Sequence, residues 1–139
     1  MAELFVIEAK EQIQPQKLRV CAYARVSTEQ ESQENSFEAQ IAYYRELILQ
    51  HPNWVLVDLY ADKGITGTSG AKRPGFQQMI QDCQNHEIDC ILVKSVSRFA
   101  RNVMECLYYI RALKQWGVTV IFEKEQLNTA NLDDEFLLT

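Results

Sequence analysis

Short apolar segments alternate with helix-length amphipathic ones along most of this chain, and that alternation constrains the fold more than any other feature. Leu18 to Ala24 and Trp54 to Ala61 are rich in β-branched and aromatic residues and read as strands. Asp89 to Lys94 is a short continuous apolar run, the pattern of a central parallel strand, and Val118 to Phe122 is a fourth. Between them the apolar residues recur at helical spacing. Phe37, Ile41, Tyr44, Leu47 and Ile48 mark a helix that starts after an N-cap at Ser36 and ends at His51-Pro52. Phe76, Met79, Ile80 and Cys83 share one face of a second, to about Asn85. Val103, Cys106, Leu107, Ile110, Leu113 and Lys114 mark a third, stopped by Gly117 at C′. A strand, helix, strand order needs crossover connections, so the fold class is α/β: a mostly parallel central sheet of about four to five strands flanked by helices.

In such a sheet, ligands collect where loops leave the carboxyl ends of the strands. The run from Arg19 to Thr28 turns polar there, and alternation puts Arg25 and Ser27 on one side of it. A hydroxyl beside a guanidinium suits a nucleophile held against phosphate, although a capping serine beside a surface arginine fits the same spacing. The polar, acidic stretch from Thr28 to Ser36 reads as a loop. After the second strand, Asp62 to Gly75 carries four glycines in fourteen residues and predicts a mobile loop, with Lys72 and Arg73 at its exit into a helix. Asp62 also suits a simple turn residue at a strand end. After the third strand, Arg98 and Arg101 share one face if Ser95 or Ser97 caps a helical turn. Each arginine alone reads as a surface residue; their joint placement at three strand ends reads as a phosphate site.

The formal net charge of −5 argues against a nucleic-acid partner until its distribution is considered. From Glu123 to Thr139 there are five acids against one base, whereas Lys94 to Arg101 holds three bases and no acid. The local field governs where a polyanion docks. Cys21, Cys83, Cys90 and Cys106 are scattered without a C-x-x-C pair, which reads as buried free thiols rather than a metal site or disulfide framework. No apolar run approaches the roughly 20 residues that span a bilayer, and the first residues lack a signal-peptide pattern, so a cytoplasmic protein is expected. Residues 1–16 read as an N-terminal extension, 17–130 as one domain, and 131–139 as the start of a truncated C-terminal helix.

Four ordered blocks carry a resemblance: Tyr23-Ala24-Arg25-Val26-Ser27-Thr28; Ser36-Phe37-Glu38-Ala39-Gln40; Asp62 and Gly67 with Arg73-Pro74-Gly75-Phe76; and Val93 to Asn102, with Ser97-Arg98-Phe99-Ala100-Arg101 at its centre. Over roughly residues 17 to 130 the chain resembles the catalytic domain of serine recombinases, the resolvase/invertase family, and within it the large integrases and transposases of mobile elements. The resemblance implies a resolvase-like catalytic domain that performs metal-free phosphoryl transfer on double-stranded DNA, with no cofactor. Ser27 would attack a backbone phosphate, displace the 3′-hydroxyl and form a 5′-phosphoseryl link that preserves the bond for religation after strand exchange. Arg25, Arg73, Arg98 and Arg101 would bind that phosphate and stabilise its transition-state charge. Gln40, Asp62, Lys94 and Ser97 fall at supporting or DNA-binding positions. Ser97 stands where many relatives carry Asp, which removes a carboxylate that could carry a proton or orient an arginine. The resemblance also implies homodimers or homotetramers assembled through a long helix beginning near Asn131.

Two other readings stay open on the residues alone. One is a non-catalytic phosphate- or nucleotide-binding α/β domain, although neither G-x-G-x-x-G nor a P-loop is present. The other is an oligomerisation module. Residues 1–139 contain no recognisable helix-turn-helix or zinc motif, so this stretch by itself is expected to bind DNA weakly and recombine poorly.

Overall fold

The computed structural model describes residues 16–26, 37–63 and 72–132. Five strands form one sheet: β1 (Leu18–Val26), β2 (Trp54–Lys63), β3 (Cys90–Val93), β4 (Thr119–Phe122) and β5 (Leu127–Asn128). Their order is β2-β1-β3-β4-β5. The first four are parallel, as the alternation with helices requires, and β5 adds antiparallel at the edge through Ile121↔Asn128 and Phe122↔Leu127. Against β1, the β2 register shifts between Val20 and Cys21, leaving one extra β2 residue there. The expected mostly parallel α/β architecture is the one observed.

Three helices cover the sheet. Helix α1 (Phe37–Gln50) lies against β1 and β2 on one face. Helix α2 (Pro74–Gln84) packs on β2, and helix α4 (Val103–Gln115) on β4. Between β3 and α4 sits a single turn, α3 (Val96–Phe99). Alternation along β1 divides its side chains between two cores. Cys21 and Tyr23 enter a large cluster with Phe76, Met79, Phe99, Leu113 and Phe122, beneath α2 and α4. Val20 and Ala22 enter a smaller one with Tyr44, Ile48, Cys90 and Leu92, beneath α1. All four cysteines are free and buried, as the scattered spacing predicts.

Helix ends follow local chemistry. Gly117 takes φ +77° at C′ of α4, with its N–H donating to the Lys114 carbonyl and that of Val118 to Leu113, a Schellman closure. His86 does the same work for α2 at φ +62° without being glycine. Ser95 caps α3, but the turn ends at Phe99 and Ala100 is extended, so Arg98 lies in the turn and Arg101 beyond it rather than on one helical face. Three short features escape the periodicity reading: α3, β5 and a 3-10 turn at Thr129–Asn131, each too short to complete a period. Val103, expected on the apolar face of α4, is exposed, and it is Cys106, Ile110 and Leu113 that reach the core. The N-terminal extension, the Thr28–Ser36 loop with its Ser36 cap, most of the glycine-rich loop and the end of the expected C-terminal helix from Asp133 onward lie outside the described residues.

Candidate active site at the carboxyl rim of the sheet

Arg25 is the next-to-last residue of β1, on the side of Tyr23 and the larger core. Its Nη2 donates to the Ser97 carbonyl at 2.9 Å, which ties it to the turn following β3. Its Nε is buried with no hydrogen-bond partner among the described residues. Burial lowers the Arg25 pKa, and the positive charges of Arg73 and Arg101 lower it further. Arg98 is lowered in the same direction, by burial and then by Arg25. Guanidiniums remain protonated under such pressure, so what converges here is positive potential.

Arg73 sits differently. It precedes α2 in the left-handed region (φ 49°, ψ 63°), and its side chain is only 6% exposed. Nη2 donates to the carbonyls of Phe99 (2.7 Å) and Arg98 (3.2 Å), Nε to the Tyr23 hydroxyl (3.3 Å), and Nη1 to Glu105 (3.4 Å). The guanidinium also lies 3.8 Å from the centre of the Phe76 ring. Such an arginine braces the segment that carries Arg98.

Asp62, at the end of β2, completes this network. Its carboxylate accepts from the Tyr23 hydroxyl at 2.6 Å and from the backbone N–H groups of Gly75 (2.8 Å) and Phe76 (3.0 Å). Arg73 provides no side-chain cap for α2, and Asp62 caps that helix from the end of β2. Gly75 makes the approach possible, because a Cβ there would overlap the Ala61 carbonyl. Asp62 is therefore more than a turn residue: with both oxygens occupied, it locks the exit of the glycine-rich loop to β2. Tyr23 is held neutral, its hydroxyl pKa pushed far up by burial and by the bond to Asp62.

Beyond β3, the hydroxyls of Ser95 and Ser97 are 3.0 Å apart, and Ser95 Oγ accepts from the Arg98 N–H. Ser97 meets Arg25 through its backbone carbonyl, which accepts from Arg25 Nη2. Glu105 Oε1 accepts both from Arg73 Nη1 and from the Arg101 N–H (3.0 Å), while Asn102 Oδ1 accepts from the Glu105 N–H (2.8 Å).

The structure thus brings Arg25, Arg73, Arg98, Arg101, Asp62 and Ser97 to one rim on the α2/α4 side. Ser27, two residues beyond Arg25, lies outside the described residues. Gln40 and Lys94 are at the same rim but line a cavity on the α1 side. Tyr23 and Glu105 are the two residues that sequence reading passed over. A buried tyrosine must place its hydroxyl somewhere, and Asn102-x-x-Glu105 is a capping-box spacing, so each left a signal.

A rim that gathers arginines around the end of the first strand of a parallel α/β sheet defines a domain built for phosphoryl chemistry. Residues 20–139 match the family model of the resolvase N-terminal domain, and the chain belongs to that family. The structure is similar to a resolvase family site-specific recombinase from Streptococcus pneumoniae, at 27% identity and TM-score 0.70 over 88% of this chain and 82% of that one. It is also similar to the N-terminal catalytic domain of TP901-1 integrase, at 26% identity and TM-score 0.64 over 86% and 87% of the two chains. The C-terminal catalytic domain of ISC1926 TnpA, an IS607-like serine recombinase, shares the fold at 21% identity and TM-score 0.62 over 76% of this chain and 70% of that one. No curated protein matches the chain. It is a site-specific recombinase catalytic domain with the resolvase-like α/β fold, and among its described residues no helix is long and apolar enough to cross a membrane.

Proposed function

We propose that residues 17–130 cleave and rejoin double-stranded DNA in the cytoplasm through Ser27. The Ser27 Oγ–phosphorus bond forms as the bond from phosphorus to the 3′-oxygen breaks. The hydroxyl proton leaves the serine and the 3′-oxygen departs as a hydroxyl. The resulting 5′-phosphoseryl ester conserves a phosphodiester bond, so the reverse attack by a 3′-hydroxyl after strand exchange needs no external energy. Arg25, Arg98 and Arg101 surround the non-bridging oxygens, whose negative charge grows along the reaction path, and preorganised cations there lower the barrier. Arg73, with Tyr23 and Asp62, holds the Arg98 segment in place. The chain works as a homodimer or homotetramer, since exchange needs two duplexes cut together.

One observation carries this reading: Arg25, at the end of the strand that leads to Ser27, keeps a buried, unpartnered Nε while the charges of Arg73 and Arg101 press on it. Buried donors ordinarily find acceptors, so an anion is the group that fits. The test is a pool of nicked random-sequence duplexes incubated with the protein, followed by denaturing gels and mass spectrometry of the covalent adduct. A nucleotide linked to Ser27, and no adduct with Ser27→Ala, is expected. An adduct that persists in Ser27→Ala, or one linked to another residue, overturns the reading.

A further inference from the structure

The rim has a second side. Under the first two turns of α1, next to the ends of β3 and β4, lies a cavity of about 450 Å³ lined by Gln40, Tyr43, Tyr44, Lys94, Glu123 and Lys124. That volume is in the range of small-ligand sites. Parallel pairing continues past the strands, with Glu123 N–H donating to the Val93 carbonyl and Lys124 N–H to that of Lys94 at 2.8 Å, so the two lysines leave adjacent strand ends. Neither ammonium has an ion-pair or hydrogen-bond partner among the described residues, and both side chains are exposed. The carboxylate between them is already committed. Glu123 Oε1 accepts from the Tyr44 hydroxyl and Oε2 from the Tyr43 hydroxyl, both at 2.7 Å, which draws it to the α1 wall. The Tyr43 ring, edge-on to Tyr44 at 5.2 Å, leaves about half of its surface open beside the lysines.

Two unpartnered ammoniums beside an exposed aromatic ring, with the neighbouring carboxylate's two oxygens already engaged by two phenols, suit a phosphodiester with its sugar against the ring. We propose that this cavity binds one backbone phosphate of the DNA strand, on the opposite face of the sheet from the arginines. The loop from Lys94 to Ser97 then lies between two phosphate-binding sites, one holding the reacting group and one fixing the strand's path. This inference rests on the reading of the rim as a DNA site, and it adds Lys124, Tyr43 and Glu123 to the residues that serve it.

The test is the salt dependence of binding to a random-sequence duplex, followed by fluorescence anisotropy across a potassium chloride series. Each phosphate neutralised contributes about 0.9 to the slope of log K against log salt. Lys94→Gln/Lys124→Gln is expected to lower the slope by about 0.9 and weaken binding several-fold at low salt. Lys114→Gln, at the far end of α4, is expected to change neither. An unchanged slope in the double lysine variant, with a lowered slope in Arg98→Gln, overturns the cavity proposal and leaves the arginine site standing. Unchanged slopes in both overturn the reading of the rim as a DNA site. Free thymidine monophosphate tests the other source of the same chemistry: saturable shifts of the Tyr43 and Gln40 side-chain resonances, lost in the lysine variant whose DNA slope is unaltered, would mark a mononucleotide pocket and overturn the assignment to DNA.

Discussion

The two faces of the sheet meet at one rim but spend their polar groups differently. On the α2/α4 face, Asp62, Tyr23 and Arg73 are buried and bonded to one another and to backbone, over the larger hydrophobic cluster. On the α1 face, the Glu123 clamp is partly open to solvent, the neighbouring lysines are exposed, and the core beneath is smaller. Buried polar networks are costly unless every member is satisfied, and a satisfied one has few alternative arrangements. The first face is thus fitted to hold charges in fixed geometry. The second is fitted to hold a flexible strand without demanding one position.

That contrast predicts a gradient of stability effects. Asp62→Ala would strand the Tyr23 hydroxyl and the Gly75 and Phe76 N–H groups at the start of α2, and leave Glu105 as the carboxylate paired with Arg73. We expect a loss of about 3–4 kcal/mol in urea unfolding, with Asp62→Asn recovering part of it; a loss below about 1 kcal/mol would mean that the network is not what holds this face. Glu123→Gln keeps one acceptor for the tyrosines and removes the charge. It should cost only about 1 kcal/mol by the same measurement, and a cost equal to that of Asp62→Ala would erase the distinction between the faces.

The smallest effect is expected at the opposite end of the sheet, where Arg19 and Asp89 form an exposed two-pronged pair at 3.0 Å. The hydrogen bonds from Arg19 hold the Asp89 pKa below its ordinary value. A depressed carboxylate contributes stability above its unfolded-state pKa, and that contribution disappears as pH falls through the folded-state value. The stability difference between the wild type and Asp89→Asn should therefore be small and constant at neutral pH and shrink below about pH 4. A difference that grows on acidification would contradict the assignment.

Much of the fold was legible because it rests on periodic patterns. The continuous apolar run after Asp89 became the central strand β3, buried throughout, and Gly117 ended α4 as its position indicated. The pair Leu127–Asn128 was not legible, since a two-residue strand gains its identity only from β4 beside it. In the candidate site, the convergence of Arg25, Arg98 and Arg101 could be anticipated from strand ends. The braces could not. Tyr23 reads as one more apolar residue of a buried strand until Asp62 and Arg73, distant in sequence, are found at its hydroxyl.

By itself, the sequence determined the order of strands and helices, the parallel sheet that follows from it, and the set of arginines delivered to the strand ends, because these depend on periodicity and on the geometry of crossovers. Only the tertiary structure decided how each arginine is used. Arg73 and Arg25 are equally charged, yet one is turned inward onto the carbonyls of Arg98 and Phe99 while the other keeps a buried donor unpartnered. Burial and hydrogen-bond partners come from residues distant along the chain, and the local sequence around an arginine does not contain them.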